Sequence, residues 1–194
     1  MTVNLTKGQQ LSLTKTDGRP LALIRMGLGW QATPRQGFLS RFMPPRDIDL
    51  DASAVLFSGG QFIDVVYFDH LLSDDGAVEH SGDNRTGGTG AAGDDEFIRV
   101  NLARVSPHVD QIVFIVNSFS GETFAAIENA YCRLVDDATG QELARYTLAD
   151  AGPHTAQIMA KVVRQGAGWS MVALGRPESG RTFEDLLPAI ARHV

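Results

Sequence analysis

Asp47-Ile48-Asp49-Leu50-Asp51-Ala52-Ser53-Ala54-Val55-Leu56-Phe57 alternates with a period of two. Taken as an extended segment, it sends Asp47, Asp49, Asp51 and Ser53 to one face and Ile48, Leu50, Ala52, Ala54 and Leu56 to the other. One face is core and the other is acid. Working outward, the same grammar recurs. Leu21 to Trp30 reads as a long strand with Met26, Leu28 and Trp30 on one side and Arg25 on the other, and Gly27 and Gly29 call for close packing or a bulge. Residues 62–68, 97–102, 111–116, 130–135, 142–148, 156–164 and 169–174 follow suit, with turns at Asp137 to Gly140 and Gln165 to Gly168. Regular intervening helices are absent, which argues against a doubly wound parallel sheet. Burying so many half-apolar strands calls for a mainly β fold, a two-layer antiparallel β-sandwich.

Two short helices are expected at its margin. One lies near Thr123 to Glu128. The other, C-terminal, spans Phe183 to His193, where Thr182 and Asp185 approximate a capping box and Pro188 falls in the interior. Phe183, Leu186, Leu187 and Ile190 form a stripe that would dock this helix on the body. Gln31 to Arg46, broken by Pro34, Gly37, Pro44 and Pro45, carries Phe38, Leu39, Phe42 and Met43. It reads as a flap over the sheet or as a contact surface.

With 194 residues, 43% of them hydrophobic, the chain suits one domain over 1–194. A net charge of -6 without a Lys/Arg run argues against nucleic acid as a partner. Cys132 is the single cysteine and lies in an apolar run, so a buried core thiol and a reducing compartment are expected. The start Met1-Thr2-Val3-Asn4-Leu5 does not resemble a signal peptide, and no apolar run is long enough to span a bilayer; the expected location is cytoplasmic, without membrane insertion.

Charge is local. Residues 47–96 hold 12 of the 23 acidic residues and one basic residue, Arg85. Beside the Asp47 to Asp51 alternation stand Gly82-Asp83-Asn84-Arg85-Thr86-Gly87 and Gly93-Asp94-Asp95-Glu96. So many carboxylates repel one another unless they face water or surround a cation. Asp, Asn and Gly in flexible loops offer the oxygen ligands that calcium takes, about six to eight of them, whereas magnesium wants fewer and tighter ones. With no Cys cluster and His80 alone nearby, zinc, copper and iron–sulfur sites fit poorly. Asp83, Asn84 and Asp94 lead the candidate ligands, followed by Asp49, Asp51 and Asp95; Asp47, Asp75 and Glu79 read as surface residues. On a straight strand, side chains two apart stand roughly 6.5–7 Å from each other, which suits two neighbouring cations, or one cation and a solvated Asp.

Other chemistries fare worse. An EF-hand loop beginning at Asp47 fails at its sixth and twelfth positions, Ala52 and Ser58. Gly88-Thr89-Gly90-Ala91-Ala92-Gly93 spells a dinucleotide motif, but acids follow it where a pyrophosphate would sit. No catalytic constellation stands out. The alternative to a non-enzymatic binding protein is a metal-dependent hydrolase or phosphotransfer enzyme acting on a phosphate-containing substrate.

The ordered motifs Leu5-Thr6-Lys7-Gly8, Gly27-Leu28-Gly29-Trp30, Asp49-Leu50-Asp51-Ala52-Ser53, His80-Ser81-Gly82-Asp83-Asn84-Arg85-Thr86-Gly87, Gly93-Asp94-Asp95-Glu96, Ile127-Glu128-Asn129-Ala130-Tyr131 and Gly152-Pro153-His154-Thr155 cover nearly the whole chain. In these the chain resembles the TerD family of tellurium-resistance and stress proteins, and the Gln31 to Arg46 segment resembles the insertion of its TerZ-type members. The resemblance implies a β-sandwich-like domain holding two calcium ions through Asp49, Asp51, Asp83, Asn84, Asp94, Asp95 and Glu96. It also implies a non-enzymatic stress scaffold or sensor, linked to tellurite, phage and colicin resistance. The implied partners are TerB-like and TerC-like proteins of a membrane-associated complex. The chain departs from the family at Gly88 to Ala92, where many members carry acid, so no ligand is expected there.

Overall fold

A computed structural model describes residues 3–4, 6–15, 17–32, 48–88, 93–148 and 152–194. Among them the strands are β1 (Val3–Asn4), β2 (Gln10–Ser12), β3 (Leu23–Ala32), β4 (Leu50–Ser58), β5 (Gln61–Val66), β6 (Val78–His80), β7 (Glu96–Asn101), β8 (Gln111–Ser118), β9 (Ile127–Asp136), β10 (Gln141–Thr147), β11 (Ala156–Gln165) and β12 (Gly168–Glu178), and the helix α1 is Phe183–Ile190. They form two six-stranded sheets, ordered β1-β10-β9-β3-β7-β6 and β2-β12-β11-β8-β4-β5. Pairing is antiparallel except where β1 runs parallel to β10. The fold is the mainly β, two-layer sandwich that the alternating segments demand.

The inward faces meet in one apolar core that includes Met26, Leu28 and Trp30 of β3 and Leu50, Ala52, Ala54 and Leu56 of β4. β4 nonetheless departs from simple alternation, since it is buried on both faces over nearly its whole length. Its outward residues Val55 and Phe57 join Val113, Ile115, Leu186 and Ile190 in a second apolar cluster beneath α1, with Phe183 and Leu187 packed at its margin. The helical stripe therefore docks on the body. Only the first outward positions of β4, Asp51 and Ser53, are polar, and these too are buried.

Both glycines of β3 mark close approaches. A methyl on Gly27 would stand 2.1 Å from the Cγ of Asp94, and one on Gly29 would stand 2.6 Å from the Tyr131 ring; the pairing with β9 also shifts between Gly29 and Gln31. The first expected helix is shorter than its spelling: only Phe124–Ala126 winds, as a single 3-10 turn. Ile127 and Glu128 instead pair with Ala32 and Gln31 at the start of β9, because ladder partners satisfy their backbone better than another turn would. α1 likewise stops at Ile190, short of His193. Beyond it the chain tightens into three-residue turns, the Arg192 N–H donating to the Ala189 carbonyl and the His193 N–H to the Ile190 carbonyl, while Asp185 accepts the Arg181 and Thr182 N–H groups at the other end. Asp47, most of the Gln31 to Arg46 segment and residues 89–92 of the dinucleotide spelling lie outside the described residues.

Candidate metal centre

Asp49 enters β4, Asp51 lies within it, and Asp83 belongs to the connection from β6 to β7. One carboxylate oxygen from each lies within 4.8 Å of the others. The side chains of Asp49 and Asp51 thus converge despite the spacing of their backbone positions. Asp51 is 3% exposed, Asp49 half-buried and Asp83 exposed, so the group opens from a buried floor to solvent.

The connection carrying Asp83 is held by side chains reaching across the sandwich. Glu96, at the start of β7, is wholly buried; it accepts the Ala52 N–H at 3.0 Å and the Asn84 N–H at 3.0 Å. His80 faces it at 3.4 Å through Nε2, which also lies 3.2 Å from the Ala52 carbonyl. The Gly82 N–H donates to His80 Nδ1 at 3.0 Å, which places the ring proton on Nε2. Asn84 shapes the turn: its Oδ1 accepts the Thr86 and Gly87 N–H groups and its Nδ2 donates to the Asp95 carbonyl. Gly87, at φ +60°, lies so close over the Trp30 indole that a methyl there would stand 2.4 Å from Nε1. The indole in turn donates to the Ile48 carbonyl at 2.8 Å, tying the turn to the strand that carries Asp49 and Asp51.

Electrostatics follow from this crowding. Burial, then the charges of Glu96 and Asp49, push the Asp51 carboxyl up to about 8, and the Asn117 hydrogen bond offsets only part of that. Burial, then Asp83 and Glu96, raise Asp49 as well. Asp49 Oδ1 is buried and receives no hydrogen bond. Such an oxygen is costly to strand, and a hard cation is the partner that would satisfy it while relieving three converging charges. Arg85 is 3.2 Å from Asp83, but both are exposed and the pair contributes little.

The other expected ligands are placed differently. Asp94 turns to the outer face of the sheet, where it is fully buried against Arg133 at 2.6 Å and Arg25 at 3.4 Å. Asp95 accepts the Trp30 N–H at 2.9 Å. Glu96 and Asn84 brace the connection through the contacts above. Asn117 and Ser120 were not foreseen: Asn117 Nδ2 donates to Asp51 at 3.0 Å, and Ser120 Oγ accepts the Asp49 N–H at 3.1 Å. A polar residue closing the apolar run Ile112 to Val116 was the available signal for Asn117.

Residues 1–190 match the TerD domain model. The chain is 45% identical over 186 residues to the tellurium resistance protein TerZ of Serratia marcescens, covering 95% of this chain and 94% of that protein. It is 36% identical over 206 residues to the stress response protein SCP2 of Bacillus subtilis (strain 168), across the full length of both. The crystal structure of a homologue of telluride resistance protein (TerD) from Streptomyces coelicolor A3(2) superposes with a TM-score of 0.72 at 21% identity, covering 88% of this chain and 98% of that one, a likeness of fold. A match of this extent, on a sandwich whose acidic corner is built from the same ordered motifs, makes the chain a member of the TerD family of tellurium-resistance and stress proteins.

Proposed function

We propose that the protein is a non-enzymatic calcium-binding scaffold or sensor of the tellurium-resistance and stress response. The observation that carries this reading is the convergence of carboxylate oxygens of Asp49, Asp51 and Asp83, one of which, Asp49, also has a buried oxygen without a hydrogen-bond partner. The donors are all oxygen, as calcium prefers, and the exposed side leaves room for water to complete the coordination. Asp49, Asp51 and Asp83 would hold one of the two proposed ions. Bound calcium would supply positive charge that draws the 82–88 connection onto β4. Ordering of this surface on binding is how the signal would reach a protein partner, and TerB-like and TerC-like components of a membrane-associated complex are the proposed class. The relatives are named for resistance and stress response, not for a reaction. Among the described residues no helix is long and apolar enough to cross a membrane.

Titration calorimetry in excess magnesium tests this directly, with the wild type beside Asp83→Asn and Asp49→Asn. Saturable calcium heat in the wild type, weakened in both variants, is the expected result. Absence of heat from a folded wild type overturns the reading. Phosphate-ester turnover abolished by Asp83→Asn would replace it with the hydrolase alternative.

A further inference from the structure

A half-open cleft of about 210 Å3, with Asp51 but not Asp83 in its lining, lies between the outer face of β4 and β8 and the start of α1. Its floor is Asp51 and Asn117, 3% and 2% exposed. The orientation of the Asn117 amide is pinned, because Nδ2 donates to Asp51 Oδ2 at 3.0 Å and to the Arg181 carbonyl at 2.6 Å. Its Oδ1 is therefore an acceptor, buried and without a donor, in a side chain that lines the cleft. Such an atom asks for an N–H or O–H group from a guest.

The walls are aromatic. Tyr67 lies 5.2 Å from Phe68 at 77° and 5.0 Å from Phe183 at 54°, so the rings present faces in different directions. At the rim stand the exposed acids Asp69 and Glu184, and among the described residues no basic one lines the cleft. The positive end of α1 is offset locally by Glu184 and by Asp185, which already takes the free N–H groups of Arg181 and Thr182. An anion is thus disfavoured. Aromatic faces and carboxylates together favour a cation on an apolar stem. The unpartnered Asn117 oxygen adds that this cation must carry N–H, which a quaternary ammonium lacks.

We infer that this cleft receives an N–H-bearing cation on a short alkyl stem, the chemistry of an arginine or lysine side chain or of a free polyamine. The inference does not rest on calcium binding, although Asp51 borders both sites.

The test follows the Asn117 side-chain amide and Tyr67 ring resonances by NMR in calcium-saturated protein. The probes are N-acetylarginine methylamide, its neutral citrulline counterpart, tetramethylammonium and spermidine. Saturable shifts with the arginine compound or spermidine, absent with citrulline and tetramethylammonium, are expected. The Asp69→Asn/Glu184→Gln protein, altered only at exposed positions, should bind roughly fivefold more weakly, while Glu79→Gln, which removes an exposed acid outside the cleft lining, should bind as the wild type does. Tighter binding of the arginine compound assigns the cleft to a protein side chain, and tighter binding of spermidine assigns it to a free amine. The inference is overturned if no probe gives a saturable shift, if citrulline or tetramethylammonium binds equally, or if the Asp69→Asn/Glu184→Gln protein binds as tightly as the wild type. The last outcome would mean that the rim acids do not recognise the cation; the calcium reading is judged separately by the calorimetry.

Discussion

Gly27→Ala should destabilise the protein by about 3 kcal/mol, and the whole effect should run through Asp94. The new Cβ would stand 2.1 to 2.3 Å from the Asp94 carboxyl atoms, closer than any packing adjustment of a carboxylate held on both sides allows. Asp94 is wholly buried and its arginine partners, Arg133 and Arg25, are only 18% and 23% exposed. Expelling the acid breaks a largely buried ion pair, an effect of about 3–5 kcal/mol, taken at its lower end because the guanidinium groups still reach water. In a chain of this length about 3 kcal/mol lowers Tm by roughly 6–12 °C. Urea unfolding followed by circular dichroism gives the equilibrium value. The decisive measurement repeats the substitution in an Asp94→Ala background, where the obstructing carboxylate is gone. There it should be neutral or slightly stabilising, by about 0.5 kcal/mol, since alanine restricts the unfolded chain. Equal costs in both backgrounds, or a cost below about 1 kcal/mol alone, would refute the assignment of Asp94 to the arginine clamp.

Other outcomes follow from the same structure. In EDTA the protein should lose stability as pH rises: the Asp51 carboxyl, at about 8 when folded, holds a proton that the unfolded chain releases near 4, so its contribution is complete below the unfolded value and is lost through about pH 8. The slope is at most about 1.4 kcal/mol per pH unit, and a urea midpoint that climbs from pH 5.5 to 8.5 would contradict it. Asp49→Asn should raise metal-free stability while weakening calcium binding, because it removes a half-buried carboxylate set against Asp83 and Glu96; melting curves with EDTA and with calcium separate the two effects. Gly87→Ala should cost about 1–3 kcal/mol and red-shift tryptophan emission, because it adds left-handed strain and presses on the Trp30 indole. Cys132, buried and pushed up to about 12, should resist maleimide at pH 7.5 until urea unfolds the chain.

Strand positions were legible because alternation is a local signal, and β3, β8, β11 and β12 carry it over many residues. The acid face of β4 was legible for the same reason; the clustering of acids pointed to a shared corner but not to which of them meet there, Asp49, Asp51 and Asp83. What spacing could not convey is which partner a buried charge finds across the fold. Asp94 looks like a neighbour of Asp95 and Glu96 in sequence, yet its contacts are Arg25 and Arg133, on two other strands. Asn84 is among the leading candidate ligands in sequence, yet its Oδ1 accepts the Thr86 and Gly87 N–H groups, a turn that spacing alone does not show. The outward face of β4 changes from acid to apolar at Val55 because α1, more than a hundred residues later, covers it.

The bond from Ala52 to Glu96 has a further meaning. β5 pairs with β4 only from Ala54 onward, although β4 begins at Leu50. Where that neighbour is missing, the Ala52 amide goes to Glu96 and its carbonyl to His80. Two side chains from the opposite sheet therefore act as a stand-in strand. An uncovered strand margin is a template on which other chains add. His80 and Glu96 thus cover a stretch of β4 on which another chain could otherwise add, a role independent of whatever the acidic corner binds.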